Sequence, residues 1–181
     1  GGYLAQLFSS LVGPTGHVDI HNTPGWIAQF PAIDPEVQRE TIKQPNIGWV
    51  TLSWASLDAP PESYDLIALG RVYHDVIVEG GDYDEIDKRF FAMLKPGGRV
   101  LVEDHDADET MPLMRQADLH RVSHGDAIGH FLRAGFRATD LILFESKYDD
   151  RRWNVFRPDV RGRTDRFIAV FEKPADGQPL R

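Results

Sequence analysis

The sequence predicts an α/β fold of the doubly wound kind, a mostly parallel sheet covered by helices and finished by an antiparallel last strand. Two observations carry this. Short apolar runs, among them Tyr64-Asp65-Leu66-Ile67-Ala68-Leu69 and Arg99-Val100-Leu101-Val102-Glu103, alternate with segments of helical periodicity, the pattern of βαβ units. The last two runs, 138–147 and 166–173, are joined by a charged stretch with no helix, so their strands are expected to pair antiparallel. A chain of 181 residues is long enough for one such domain with a sizeable core.

Each element follows from local pattern. Leu4, Leu7, Phe8, Leu11 and Val12 fall on one helical face, and Gly13-Pro14-Thr15-Gly16 stops that helix. His17-Val18-Asp19-Ile20-His21 reads as a strand, and Asn22-Thr23-Pro24-Gly25-Trp26 as a turn. A short helix is expected over 36–43 after Pro35, then a strand over 47–52. The run at 64–69 is apolar almost throughout, as in a strand buried on both faces. Ile86, Phe90, Phe91 and Leu94 give a helix over 84–94 that Lys95-Pro96-Gly97-Gly98 ends. A further helix over 126–134 stops at Gly135. Six strands, at 17–21, 47–52, 65–70, 99–104, 138–146 and 166–173, are expected in one sheet. No repeat or linker divides the chain, so 1–174 should form one domain and 175–181 a loose tail. A buried strand normally leads into a glycine-flanked first helix. Here it would lie before residue 1, leaving a central sheet position vacant or filled by chain outside this sequence.

Composition narrows the function. The net charge of −8, with no basic block, argues against the many phosphate contacts of a nucleic-acid-binding protein. No apolar run approaches the length needed to cross a bilayer, so no membrane partner is expected. The absence of cysteine excludes disulfides, thiolate zinc sites and cysteine nucleophiles. Cytoplasmic and exported locations both stay open.

A set of short motifs occurs in fixed order: Gly1-Gly2-Tyr3, Val12-Gly13-Pro14-Thr15-Gly16, Tyr73-His74-Asp75, Leu94-Lys95-Pro96-Gly97-Gly98, Glu103-Asp104-His105, Leu119-His120-Arg121, Ala134-Gly135-Phe136 and Arg161-Gly162-Arg163-Thr164-Asp165-Arg166-Phe167. The ordered set resembles the class I S-adenosylmethionine-dependent methyltransferases over essentially the whole chain. More narrowly, it resembles a bacterial group of predicted small-molecule methyltransferases. The resemblance implies a Rossmann-like seven-stranded sheet with an antiparallel last strand, S-adenosylmethionine as cofactor and a small-molecule acceptor. It implies a cofactor loop at Gly1, Gly2 and Tyr3, a ribose contact at Asn22, and Ser53 and Trp54 beside adenine. Two departures stand out: the family's first strand is missing, and Asn22 replaces the usual acidic residue at the ribose. Asparagine still hydrogen-bonds there but loses the charge-assisted component.

Ligands of open α/β sheets bind beyond the carboxyl ends of the strands, where the loops diverge. Tyr73, His74 and Asp75 follow one buried strand, and Asp104, His105 and Asp106 follow its neighbour. We therefore place the catalytic set at His74, Asp75, Asp104, His105 and Tyr73. His74 or His105 could take the proton of a hydroxyl acceptor, since imidazole titrates near neutrality. Alternatively His74, Asp75, Asp104 and His105 could ligate a divalent metal, or these residues could only cap helices and satisfy loop amides. His120 and Arg121 are candidates to touch the acceptor. His124 and His130 are expected at the solvated surface. Arg151, Arg152, Arg157, Arg161 and Arg163, interspersed with Asp149, Asp150, Asp159 and Asp165, suggest an exposed salt-bridged loop.

The resulting expectation is methyl transfer from S-adenosylmethionine to a small molecule, with homodimerisation left open. The alternative is a catalytically inactive methyltransferase-like binding or scaffold module. A nicotinamide-dependent oxidoreductase is disfavoured, because no complete glycine fingerprint followed by an acidic residue is present.

Overall fold

The computed structural model of the protein describes residues 2–176. The chain divides into two compact units, Gly1–Leu57 and Asp58–Arg181.

The first unit contains α1 (Tyr3–Val12), β1 (Val18–His21), α2 (Pro24–Gln29), α3 (Pro35–Thr41) and β2 (Ile47–Val50), with short 3-10 turns at Pro31–Ile33 and Trp54–Ser56. β1 and β2 pair in parallel, Val18 opposite Ile47 and His21 opposite Val50. Asn46 fastens the end of α1 to the start of β2. It accepts from Ser9 Oγ at 2.6 Å and donates to the Gly13 and Gly16 carbonyls at 3.0 and 3.3 Å. The helix forms where its periodicity placed it, but its apolar stripe is not core: Leu4, Leu7, Leu11 and Val12 are 43–71% exposed. The stretch expected as a turn at 22–26 instead opens α2. Thr23 Oγ1 accepts from the Trp26 N–H at 3.1 Å, and Pro24 fits the first helical turn.

The second unit contains β3 (Tyr64–Gly70), α4 (Asp75–Val78), α5 (Tyr83–Met93), β4 (Leu94–His105), α6 (Leu113–Asp118), α7 (His124–Arg133), β5 (Arg137–Phe144) and β6 (Arg166–Glu172). Its sheet runs β3-β4-β6-β5. β3 and β4 are parallel, and β6 lies antiparallel to both neighbours, as expected of the last strand. All six expected strands are therefore present, in a mixed α/β arrangement. They form two sheets rather than one, because among the described residues no strand pairs with both β1 and β3. β4 starts at Leu94 rather than 99. The Lys95–Gly98 turn joins the ladder through Gly97 N–H to the Lys173 carbonyl at 3.0 Å and Lys173 N–H to the Gly98 carbonyl at 2.9 Å. Gly97 takes φ 76, a conformation that favours glycine.

Strand alternation puts Val100, Val102 and Asp104 on the buried side of β4. The two valines join Ile86 and Phe90 of α5, Phe131 of α7, Phe136 and Phe171 in the core. Phe131 stacks on Phe171 at 4.1 Å and meets Phe136 edge-on at 5.5 Å. Truncating one such aromatic to alanine removes roughly 3–5 kcal/mol. Leu66 of β3 is 42% exposed, so β3 is not buried on both faces as its composition suggested. No helix among the described residues is long and apolar enough to cross a membrane.

One core group makes stability depend on pH. Tyr73 donates to Asp87 Oδ2 at 2.8 Å, and Asp87 is completely buried with Oδ1 unpartnered among the described residues. Burial pushes the Asp87 carboxyl well above the usual carboxylate range, although the Tyr73 hydrogen bond pulls the other way. An acid whose folded-state pKa is raised keeps its proton when folded and loses it when unfolded, so stability falls as pH rises above the unfolded value. That slope is roughly 1.4 kcal/mol per pH unit from this one proton. Asp87→Asn should remove this contribution. Melting temperatures of wild type and variant should diverge in the variant's favour from pH 5 to pH 8, and parallel curves would contradict the assignment.

Candidate active site

The residues expected at the acceptor lie in the second unit, where β3 and β4 end side by side. β3 turns out of the sheet through Arg71, which takes φ 58 and donates its N–H to the Glu103 carbonyl at 2.6 Å. The chain then tightens into α4 through bonds from Asp75 N–H to the Val72 carbonyl and from Val76 N–H to the Tyr73 carbonyl, both 3.2 Å. This turn sends Tyr73 and His74 different ways. Tyr73 enters the core, between Tyr83 at 4.6 Å and Phe131 at 5.3 Å, with its hydroxyl on Asp87. His74 meets the end of β4.

Asp104 organises the meeting point. Its carboxylate, with no exposed surface, accepts the His74 backbone N–H at 3.1 Å, His74 Nδ1 at 2.8 Å and the His105 N–H at 2.7 Å. A carboxylate acceptor on Nδ1 assigns the ring proton to that nitrogen and leaves Nε2 with the lone pair. Nε2 faces Asp75 Oδ1 at 3.4 Å, and His120 Nδ1 lies 3.9 Å from the same oxygen. The His74 and His120 rings meet edge to face at 5.5 Å, and Phe156 packs on His120 at 4.9 Å. One nitrogen or oxygen from each of His74, Asp75 and His120 lies within 4.8 Å of the others, so these three could hold a metal.

The electrostatics of this cluster follow from burial and proximity. Burial would lower the His74 pKa, but the Asp104 charge and hydrogen bond outweigh it and hold it above the ordinary imidazole value. Burial lifts Asp75 to about 6, a rise that His74 moderates and Asp104 reinforces. Burial and the neighbouring His74 lower His120. His105 is pushed down to about 4, chiefly by burial.

Of the residues expected to converge, His74, Asp75 and Asp104 do so. The His105 side chain bonds Thr164 Oγ1 at 2.8 Å instead. His120, a candidate for touching the acceptor, joins the cluster directly. Arg121 does not reach it with its guanidinium. It is fully buried and paired with Asp149 at 2.8 Å, which anchors the start of the charged loop inside the protein; most of that loop is exposed and salt-bridged as expected, with Arg152 on Asp108 and Arg157 on Asp159. Nor are His124 and His130 free at the surface: His124 bonds Asp106 at 3.0 Å and His130 bonds Asp84 at 2.8 Å.

The residues expected to bind the cofactor lie in the first unit. Gly1 is outside the described residues. Gly2 caps α1 with φ 81, and a Cβ there would collide with the Ile42 side chain. Tyr3 is exposed at the start of α1. Asn22 Nδ2 donates to the Ile33 carbonyl at 3.1 Å, and Ser53 Oγ donates to Ser56 Oγ at 3.1 Å. Trp54 is buried, edge-on to His21 at 5.1 Å, with Nε1 unpartnered among the described residues.

No protein-family model and no curated protein sequence matches the chain. Solved structures do. A SAM-dependent methyltransferase from Aquifex aeolicus superposes with a TM-score of 0.65 at 12% identity, over 94% of this chain and 76% of that one. Human N-acetylserotonin methyltransferase in complex with SAM gives 0.56 at 19% identity, over 96% of this chain and 45% of that one. An O-methyltransferase family 2 protein from Planctomyces limnophilus, in complex with apigenin, gives 0.58 at 19% identity, over 95% of this chain and 47% of that one. This chain spans less than half of each of the last two. The fold is that of the class I S-adenosylmethionine-dependent methyltransferases.

Proposed function

We propose that this protein transfers a methyl group from S-adenosylmethionine to a hydroxyl of a small-molecule acceptor, with residues 1–174 acting as one methyltransferase-like domain. The observation that carries the reading is the buried Asp104–His74 pair at the adjoining ends of two parallel strands. Asp104 fixes the ring through both backbone and side chain, so Nε2 is the one ring nitrogen left for chemistry. The acceptor hydroxyl is activated on that side of His74. Asp75 and His120 border the same point and restrict which acceptors can approach.

The residues in the first unit suit the cofactor in two respects. Among the described residues no side chain caps the amino end of α1, whose first-turn N–H groups favour an anionic group such as a carboxylate. Trp54 Nε1 is a buried donor without a partner among the described residues, and such donors are rare unless something satisfies them. When bound, the cofactor supplies an electrophilic methyl group on a sulfonium. The chain's own task is to hold the acceptor oxygen in line and to let its proton leave.

Calorimetry with S-adenosylmethionine tests the cofactor. Binding below millimolar is expected, and Trp54→Phe should weaken it about fivefold, the effect of one hydrogen bond of about 1 kcal/mol. No heat at millimolar ligand would overturn this part of the proposal. A second reading is favoured by one observation: Asn22 Nδ2 donates to the Ile33 carbonyl, and an amide rather than a carboxylate occupies the position expected at the ribose. Cofactor binding with no labelled methyl transferred to any of a broad panel of hydroxyl acceptors would favour that reading, a binding module without catalysis.

A further inference from the structure

We infer that His74 Nε2, Asp75 Oδ1 and His120 Nδ1 form a site for a divalent transition-metal cation of the zinc, cobalt or manganese kind, whose open positions take oxygen atoms of the acceptor. Its use in the reaction rests on the proposed function, whereas its existence rests on the three side chains alone.

The donor set decides the class of ion. Two imidazoles and one carboxylate suit first-row transition metals, whereas magnesium and calcium prefer oxygen ligands throughout. Three protein ligands leave at least one position open, the arrangement of catalytic rather than structural sites. Ligands about 2.0–2.2 Å from a shared ion lie roughly 3.0–3.6 Å apart. His74 Nε2 and Asp75 Oδ1 already stand at 3.4 Å. His120, at 3.9 Å from Asp75 Oδ1, needs a movement on the order of 1 Å to close the set. It has that freedom, because it sits in the connection between α6 and α7 and is half-buried.

Two features distinguish this cluster from a chance grouping of polar side chains. Asp104 grips His74 through Nδ1, the outer partner that metal-bound histidines regularly have, and so aims the Nε2 lone pair at Asp75. His120 adopts φ 56, a left-handed conformation unfavourable for a residue with a side chain, and in it the ring stands over His74. The Phe156 ring packs edge-on against His120 at 4.9 Å. His105 and His124 bond elsewhere and lie outside the set.

The test is titration of the full chain, stripped with EDTA and dialysed, with cobalt, zinc, manganese and magnesium chlorides by calorimetry, in the absence of cofactor and acceptor. The cobalt absorption spectrum gives a second readout. One equivalent of cobalt or zinc should bind, with magnesium much weaker. Asp75→Asn and His120→Ala should each weaken cobalt at least tenfold, and Asp104→Asn, which only positions His74, by about 10–100-fold. His124→Ala should bind as wild type does. No stoichiometric binding at millimolar cobalt or zinc, or affinity unchanged in both Asp75→Asn and His120→Ala, would overturn the site. Because cofactor and acceptor are absent, that failure leaves the methyltransferase reading standing. Cobalt binding without S-adenosylmethionine binding would sink the function and keep the site.

Discussion

His74→Ala is expected to lower methyl transfer to a hydroxyl acceptor by about 10²–10⁴-fold, the range for losing a positioned acid–base group. The effect should appear in kcat, with S-adenosylmethionine affinity nearly unchanged. Asp104→Asn should also impair turnover. The amide loses the charge that grips the His74 ring and, with one oxygen in place of two, can no longer accept from the His74 N–H, the His74 ring and the His105 N–H together. Chelation separates two ways of using the His74 Nε2 lone pair. If EDTA abolishes wild-type turnover and cobalt or manganese restores it, His74 acts as a ligand. If EDTA changes nothing, Nε2 takes the hydroxyl proton itself. Full activity in His74→Ala with any acceptor that wild type methylates at a hydroxyl would remove the residue from the mechanism altogether.

How much of this was legible in the sequence depended on how local each determinant is. Strand positions were legible, because period-two burial and glycine turns act within a few residues. So was the meeting of the segments that follow β3 and β4, a consequence of topology. Which side chain turns into it was harder. Tyr73 and His74 are neighbours in sequence, yet the turn through Val72 commits one to the core and the other to Asp104. Alternation along β4 likewise separates Asp104 from His105, whose partner Thr164 arrives from a loop far along the chain. The α1 stripe shows the limit of periodicity: it specified the helix correctly but carried no information about what, if anything, covers the face. In α2 the signal was present and misread, since Thr23 followed by Pro24 is as good a helix start as Pro24-Gly25 is a turn.

Arg121 was the least legible residue of all, because Asp149 and Trp153, which help to bury it, lie about thirty positions downstream, and its replacement should destabilise as much as truncating a core aromatic. Its guanidinium donates to both Asp149 oxygens at 2.8 and 3.0 Å, to the Trp153 carbonyl at 2.7 Å and to the Asp106 carbonyl at 2.7 Å, with neither charged side chain of the pair exposed. Arg121→Met keeps much of the volume but leaves the Asp149 carboxylate buried opposite no charge. Breaking a buried pair on one side destabilises by about 3–5 kcal/mol, because the desolvation penalty of the remaining ion is no longer offset. Adding Asp149→Asn in the same chain should recover a large part of that loss, since the penalty belongs to the stranded charge rather than to the missing bond. The damage should also reach the site, because this anchor holds the segment that carries Phe156 against His120. Urea denaturation of the wild type, the single variant and the double variant measures all three stabilities. A single variant within 1 kcal/mol of wild type, or a double variant no better than the single, would show that Arg121 is packed as a side chain rather than needed as a charge.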